Sequence, residues 1–257
     1  MKIVFLGDIV GSSGRKAVKE FLPEIVRKYK PDFIIANGEN AAGGYGITEK
    51  IAEELLSYGI HIITTGNHVW KKEFIPYLQK TDRVLRPANY GPGAPGKGWT
   101  ILTQGNLKLG VINLEGRIFM RPLENPFLVA KNLVQEIAQE TSHILVDFHA
   151  EATSEKMALG HFLDGLISAL VGTHTHVQTS DERILTHGTA YITDVGMCGA
   201  IESVIGMKIN QAIELYLTNV GKKLEVETLG PLKVEGIYLE FNTQGKAQLI
   251  ERFRFTS

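Results

Sequence analysis

The chain has 257 residues, with 27 lysines plus arginines against 28 aspartates plus glutamates, eight histidines and one cysteine. A single cysteine excludes an internal disulfide, a Cys-x-x-Cys redox pair and a cysteine-rich zinc site, and a formal net charge of −1 offers no broad electropositive surface to nucleic acid. With 44 % hydrophobic residues the composition is that of a folded chain, and no run approaches the roughly 18–20 apolar residues of a spanning helix.

Lys2–Leu6 is a short β-rich run that stops at Gly7-Asp8. A secretory leader needs roughly 7–15 apolar residues, so a cytoplasmic protein is expected. Val18, Phe21, Leu22, Ile25, Val26 and Tyr29 recur at spacings of three and four, one face of a helix. Pro31-Asp32 breaks it, and 33–35 reads as a buried strand. Thr48 with Glu49 caps a helix over Ile51, Leu55 and Leu56 that Gly59 ends, and 60–64 is a third strand. Strand, helix, strand, helix, strand is the pattern of βαβ units with right-handed crossovers. Further strands are expected at 112–114 and 144–146, flanking a helix near 128–139, with another apolar run at 166–171. Beyond it, strand-like alternation at 189–192, 224–228, 234–241 and 249–255, with a helix at 209–217, predicts mixed parallel and antiparallel strands. No repeat or low-complexity linker divides residues 1–257, which read as a single α/β domain. The Pro- and Gly-rich segment 89–98 reads as a surface excursion of the kind that carries substrate contacts.

The chemistry collects after the strands. Successive strand ends deliver Asp8, then Asn37-Gly38-Glu39-Asn40, then Gly66-Asn67-His68, then Asp147-Phe148-His149, then Gly172-Thr173-His174-Thr175-His176. Ligands of open α/β sheets bind at the carboxyl ends of strands, so these groups are expected to converge in one crevice. Oxygen donors from Asp8, Glu39, Asn40 and Asn67, mixed with nitrogen donors from His149, His174 and His176, suit iron, manganese or zinc. Seven groups exceed one four-coordinate zinc and fit two metals sharing a bridging carboxylate. The His174-x-His176 pair is expected to lie extended, with both rings on one face.

These strings resemble the signature of the calcineurin-like metallophosphoesterase superfamily. Gly7-Asp8-Ile9-Val10-Gly11, Asn37-Gly38-Glu39-Asn40-Ala41, the run from His149 to Lys156 and the run from Gly172 to Gln178 are similar to one bacterial branch, the 2′,3′-cyclic-nucleotide 2′-phosphodiesterase family. The resemblance covers the chain from Lys2 through Met197. It implies two mixed β-sheets packed as a sandwich flanked by helices, and hydrolysis of cyclic nucleotides by in-line attack of a metal-bound hydroxide on phosphorus. It implies that Asp8, Glu39, Asn40 and His176 hold one metal, and that Glu39 bridges to a second held by Asn67, His149 and His174. His68 then faces the phosphate as the catalytic acid. Where the wider superfamily has a ligating histidine, this chain has Val10, and Glu39 stands where Asp is usual. Losing an imidazole enriches the first site in oxygen and favours iron or manganese over zinc.

Other readings stay beside this one: a phosphomonoesterase or nucleotidase of the same superfamily, or a metal-binding regulatory protein with incidental hydrolysis. The expected partner is a small phosphodiester, with no membrane; RNA lacks support from charge, and a homo-oligomer is left open. Three of the remaining histidines, His61, His143 and His187, read as surface or structural, while His161 is a candidate for orienting a ligand. Glu151 and Asp194 either orient ligands or cap turns. Cys198 reads as a buried small hydrophobe. Gly91-x-x-x-x-Gly96-Lys97 is not a P-loop, because Gly98 replaces the Ser or Thr and prolines interrupt the backbone donors. Gly11-Ser12-Ser13-Gly14 lacks the spacing of a nucleophile elbow, and Gly43-Gly44-Tyr45-Gly46 breaks the dinucleotide-binding rule.

Overall fold

A computed structural model describes residues 1–221 and 223–257. Along the described chain run β1 (Lys2–Leu6), β2 (Asp8–Ile9), α1 (Gly11–Tyr29), β3 (Phe33–Asn37), α2 (Glu49–Ser57), β4 (Ile62–Thr64), α3 (Ile75–Leu78), β5 (Val84–Leu85), β6 (Trp99–Gln104) and β7 (Leu107–Glu115). They are followed by α4 (Pro126–Ile137), β8 (Ile144–His149), α5 (Thr153–Phe162), β9 (Ala169–Thr173), β10 (Arg183–Ile184), β11 (Ala190–Ile192), β12 (Met197–Ala200), α6 (Ile209–Thr218), β13 (Leu232–Phe241) and β14 (Ala247–Thr256). No helix among the described residues is long and apolar enough to cross a membrane.

The strands form two mixed sheets. The first has the order β2-β12-β13-β1-β3-β4-β5, with β14 paired to β13. Within it β1, β3, β4 and β5 are parallel, while β13 runs antiparallel to β1. The second has the order β10-β11-β9-β8-β7-β6, parallel through β7, β8, β9 and β11, with antiparallel edges.

Strand alternation explains the layering. In β1, Ile3 and Phe5 face the second sheet, joining Phe33, Leu109, Val111, Leu145 and Val171 in the inner core. Val4 and Leu6 point the other way, against Val18, Leu22 and Ile25 of α1. Both faces are covered, which is why these strands read as continuous apolar runs. The outer face of the second sheet packs Ile112, Val146 and Leu170 against Val134 of α4 and Leu159 of α5. Each fully buried Ile, Leu or Phe contributes about 1.5–3 kcal/mol. The expected sandwich flanked by helices is the observed architecture.

Several local expectations change. Residues 224–228 form no strand and make only an isolated bridge from Val226 to Met207. The alternation there serves a small apolar cluster with Val10, Met197 and Met207 instead. α5 was not expected, because its apolar spacing is poor: Met157 and Phe162 are exposed while Lys156 is buried. β12 escapes notice as a four-residue strand, MCGA, that is buried with Cys198 among backbone. Segment 89–98 is exposed at 91–93, yet Asn89 is buried and bonds Glu115. The Thr48 cap is as expected, its hydroxyl oxygen accepting from Ile51 N–H at 3.4 Å.

His61 has a structural part. Its Nδ1 accepts the Ile34 N–H at 3.0 Å, which only the neutral ring can do. Burial, helped by the Arg83 charge, lowers its pKa below the usual value. A histidine with a depressed folded pKa adds stability above its unfolded pKa of about 6.5 and loses it as pH falls below that value. Urea unfolding between pH 7 and pH 5 is therefore expected to show a smaller stability loss in His61→Gln than in the wild type. Equal losses would contradict this role.

Candidate metal centre

The segments that follow β1, β3, β4, β8 and β9 bring the expected side chains into one buried network. Glu39 lies at its middle. Its Oε1 is 3.1 Å from His149 Nε2, 3.1 Å from Asn40 Nδ2 and 3.3 Å from His68 Nδ1, and its Oε2 accepts the His68 N–H at 3.1 Å. Asp8 Oδ2 accepts the His174 N–H at 3.2 Å, and Asp8 Oδ1 is 3.7 Å from His176 Nε2. Gly66 makes the convergence sterically feasible. A Cβ there would sit 2.1 Å from His149 Cδ2 and 2.4 Å from Glu39 Oε2.

Each of three imidazoles is held by its outer nitrogen so that the inner one faces the centre. Thr173 donates its hydroxyl proton to Asp147 at 2.7 Å, so at 2.9 Å its oxygen accepts from His149 Nδ1 and leaves Nε2 inward. Asn37 Nδ2 donates to the other Asp147 oxygen at 3.0 Å. His174 Nε2 donates to Glu151 Oε2 at 2.8 Å, which turns Nδ1 inward. His176 Nδ1 donates to the Ile205 carbonyl at 2.9 Å, leaving Nε2. Such outer hydrogen bonds fix the tautomer of a ligating histidine.

The inward atoms have the character of a cation site. His174 Nδ1 and His149 Nε2 are 3.0 Å apart, and ligand atoms of Glu39, His149 and His174 all lie within 4.8 Å of one another. Asp8 Oδ1 and Asn67 Oδ1 are buried without a hydrogen-bond partner. A buried unpaired carboxylate oxygen is costly, and a cation is the partner that it, the facing imidazoles and the amide share. The nitrogen and oxygen donor set fits a first-row transition metal.

Electrostatics agree with the geometry. Burial raises the pKa of Asp8 above its ordinary value despite the nearby His176 and His149. Burial also opposes charge on Glu39, but His149 and His68 outweigh it and hold the carboxyl well below the usual range. Burial disfavours charge on His149, yet Glu39, Asp8 and Asp147 push its pKa up to about 9. Burial and the neighbouring charge of His149 push His174 down to about 3. Buried carboxylates thus draw positive charge into this spot from whatever carries it.

Three details differ from expectation. His174 and His176 are not extended: their φ angles are 101° and 63°, both left-handed. Their convergence comes from this strained turn, held by Asp194, whose Oδ2 accepts from Thr175 N–H at 3.0 Å and from buried Lys156 at 2.9 Å. Asn40 belongs to the cluster, but its Oδ1 accepts from His68 Nδ1 at 2.9 Å and its Nδ2 faces His176 Nε2 at 3.0 Å. Turning its oxygen toward His176 requires a half-turn of the amide. His161 is exposed on α5 and orients nothing.

Reading the strand ends named Asn37, Asp147 and Thr173 without giving them a role, and missed Glu115. Asp147 and His149 are two apart on β8, hence on one face, which was a usable signal. Glu115 ends β7 and accepts from Tyr90 Oη at 3.0 Å; burial raises its pKa. It lines a cleft of about 430 Å³ with Asn67, His68 and His174, opposite residues 119–122.

Two mixed sheets thus gather their strand ends over buried imidazoles and carboxylates. The chain belongs to the family described as YmdB-like protein, which matches residues 4–253. It is 50 % identical over 254 residues to the 2′,3′-cyclic-nucleotide 2′-phosphodiesterase of Bacillus subtilis (strain 168), covering 98 % of this chain and 96 % of that one. A Mycoplasma pneumoniae structure described as a novel phosphatase superposes with a TM-score of 0.93 at 34 % identity, covering all of this chain and 93 % of the other. A Staphylococcus aureus structure described as a putative 5′-nucleotidase shares the fold, with a TM-score of 0.63 at 15 % identity, over 98 % of this chain and 54 % of its own.

Thr173→Val removes the hydroxyl that joins Asp147 to His149 and keeps the shape. Metal affinity, measured by competition with a chromogenic chelator, is expected to fall about 10–100-fold. An unchanged affinity would show that this link does not orient the histidine for a metal.

Proposed function

We propose that the chain is a dinuclear metal-dependent phosphodiesterase that hydrolyses 2′,3′-cyclic nucleotides. One observation carries the reading: buried Glu39 contacts His149, Asn40 and His68 at 3.1–3.3 Å, and His68 and His174 line a cleft of about 430 Å³, in a chain half identical to the Bacillus enzyme over nearly its whole length. Asp8, Asn40 and His176 would hold the metal on one side of Glu39, and Asn67, His149 and His174 the metal on the other. Asn40 joins the first group once its amide turns. Iron or manganese suits the first site better than zinc, because Val10, in the place of the missing imidazole, packs into an apolar cluster with Met197 and Met207. Two such ions, when bound, neutralise charge on the phosphoryl group and acidify water.

The remaining work falls to the chain. His68 lines the cleft, and its Nδ1 faces Glu39 Oε1 at 3.3 Å and the Asn40 amide, whichever way that amide is turned, so Nε2 is the atom left for substrate. From there it gives its proton to the 2′ oxygen as the ring opens, leaving a 3′-phosphate. The backbone of His68 is held as well, by the Glu39 carboxylate, which fixes the imidazole relative to the centre before substrate arrives. Because the ester is cyclic, the leaving oxygen stays attached, and the acid needs only to stay within hydrogen-bond reach. The cleft accepts a small ligand, and the net charge of −1 gives an RNA substrate no general attraction.

A reading as monoesterase has the phosphatase description of the Mycoplasma structure in its favour. Metal-loaded protein offered 2′,3′-cyclic AMP and adenosine monophosphates separates the two. Adenosine 3′-phosphate should accumulate without inorganic phosphate, and His68→Ala should lower kcat about 10²–10⁴-fold. Preferential release of phosphate from the monophosphates would replace the diesterase reading by the monoesterase one.

A further inference from the structure

The loop after β7 shares a cleft with the candidate centre, residues 119–122 lining it together with Asn67, His68 and His174. Glu155, in the first turn of α5, clamps its start: the Arg117 N–H lies 3.1 Å from each Glu155 carboxylate oxygen, and the Ile118 N–H donates to Oε2 at 3.2 Å. Directly beyond this clamp Phe119 adopts a left-handed φ of 60°, a conformation unfavourable to an aromatic residue. Its ring is 90 % exposed, although the residue borders the cleft that His68 and His174 also line. Strain and solvent exposure of a large apolar side chain are both costs, and no packing among the described residues offsets them. Lys71 and Arg121 border the same cleft, and neither is tied in an ion pair among the described residues. The acidic group there, Glu115, accepts from Tyr90 and feels the Arg121 charge without a salt bridge to it. The cleft therefore offers a flat apolar face, two cationic side chains and the candidate centre, in a volume suited to one small molecule.

We propose that Phe119 is the stacking face for the substrate's base, with Lys71 and Arg121 attracting its phosphate, so that the loop 116–122 selects nucleotides over base-free phosphodiesters. A base stacks on an aromatic ring whatever its hydrogen-bonding edge, so the subsite favours a base over none and discriminates little between bases. The clamp at Glu155 fixes the backbone just before Phe119, which limits the ordering cost of binding. This inference rests on the cyclic-nucleotide reading of the centre.

The test compares Phe119→Leu and Phe119→Trp with the wild type on 2′,3′-cyclic AMP and on glycerol 1,2-cyclic phosphate. Phe119→Leu should lower the ratio of kcat/KM between the two substrates about 5- to 150-fold, the range of one lost base stack, and chiefly through KM. Phe119→Trp should restore it. By calorimetry, the Kd of adenosine 3′-phosphate should rise in Phe119→Leu relative to that of inorganic phosphate. A ratio unchanged in Phe119→Leu, in protein that still cleaves both substrates, overturns the inference and leaves the reading of the centre standing. Wild-type protein inert toward both cyclic diesters overturns that reading and the inference with it.

Discussion

Two carboxylates, Asp8 and Glu39, are fully buried, and no lysine or arginine among the described residues pairs with either. Burying an unpaired carboxylate costs several kcal/mol even after relaxation. Much of the surrounding architecture follows from this constraint. Among the described residues imidazoles are the only side-chain bases that reach the two carboxylates, and their outer nitrogens are fastened to Thr173, Glu151 and the Ile205 carbonyl. What remains facing inward is a set of lone pairs and negative oxygens that a metal cation satisfies and protons satisfy only in part.

The fold treats its structural charges differently. Asp194 is as deeply buried as Asp8, yet Lys156, Thr175 N–H and Gly196 N–H saturate it. Glu235 likewise has Lys233 and Arg254 beside it. The contrast separates charge used to hold the chain from charge kept open for chemistry. The two kinds also cooperate, because the Lys156–Asp194 pair fixes the loop in which His174 and His176 sit at left-handed φ. Strain at the two histidines is thus stored against a buried ion pair outside the centre.

Much of this was legible in the sequence, for identifiable reasons. Strands β1, β3, β4, β8 and β9 are buried on both faces and so announce themselves as apolar runs, and the groups that follow them can be read directly. The helices α1 and α4 are amphipathic and were equally plain. Short or irregular pieces were not: β12 has four residues, α5 buries a lysine instead of an apolar stripe, and 224–228 alternates for a local cluster instead of a sheet. In the site, the donor types were readable from the strand ends, whereas the tautomer-fixing partners were not. Glu151 was a candidate, with turn capping as its alternative, while Thr173 and Asn37 are ordinary residues until three-dimensional contact gives them a histidine or a carboxylate to hold. The turn that brings His174 and His176 together is set by Asp194 and Lys156, 18 and 20 residues away from His176 in opposite directions, a relation that no local pattern displays.

The account's central claim is that the buried donors around Glu39, Asp8 Oδ1 and Asn67 Oδ1 among them without a hydrogen-bond partner, hold a pair of transition-metal ions. Elemental analysis of protein purified without added metal or chelator tests it most directly. Two equivalents of iron or manganese per chain are expected in the wild type, falling below one in Glu39→Ala, the variant that removes the group shared by both sites. Wild-type protein that stays metal-free after incubation with iron and manganese, while folded, would contradict it.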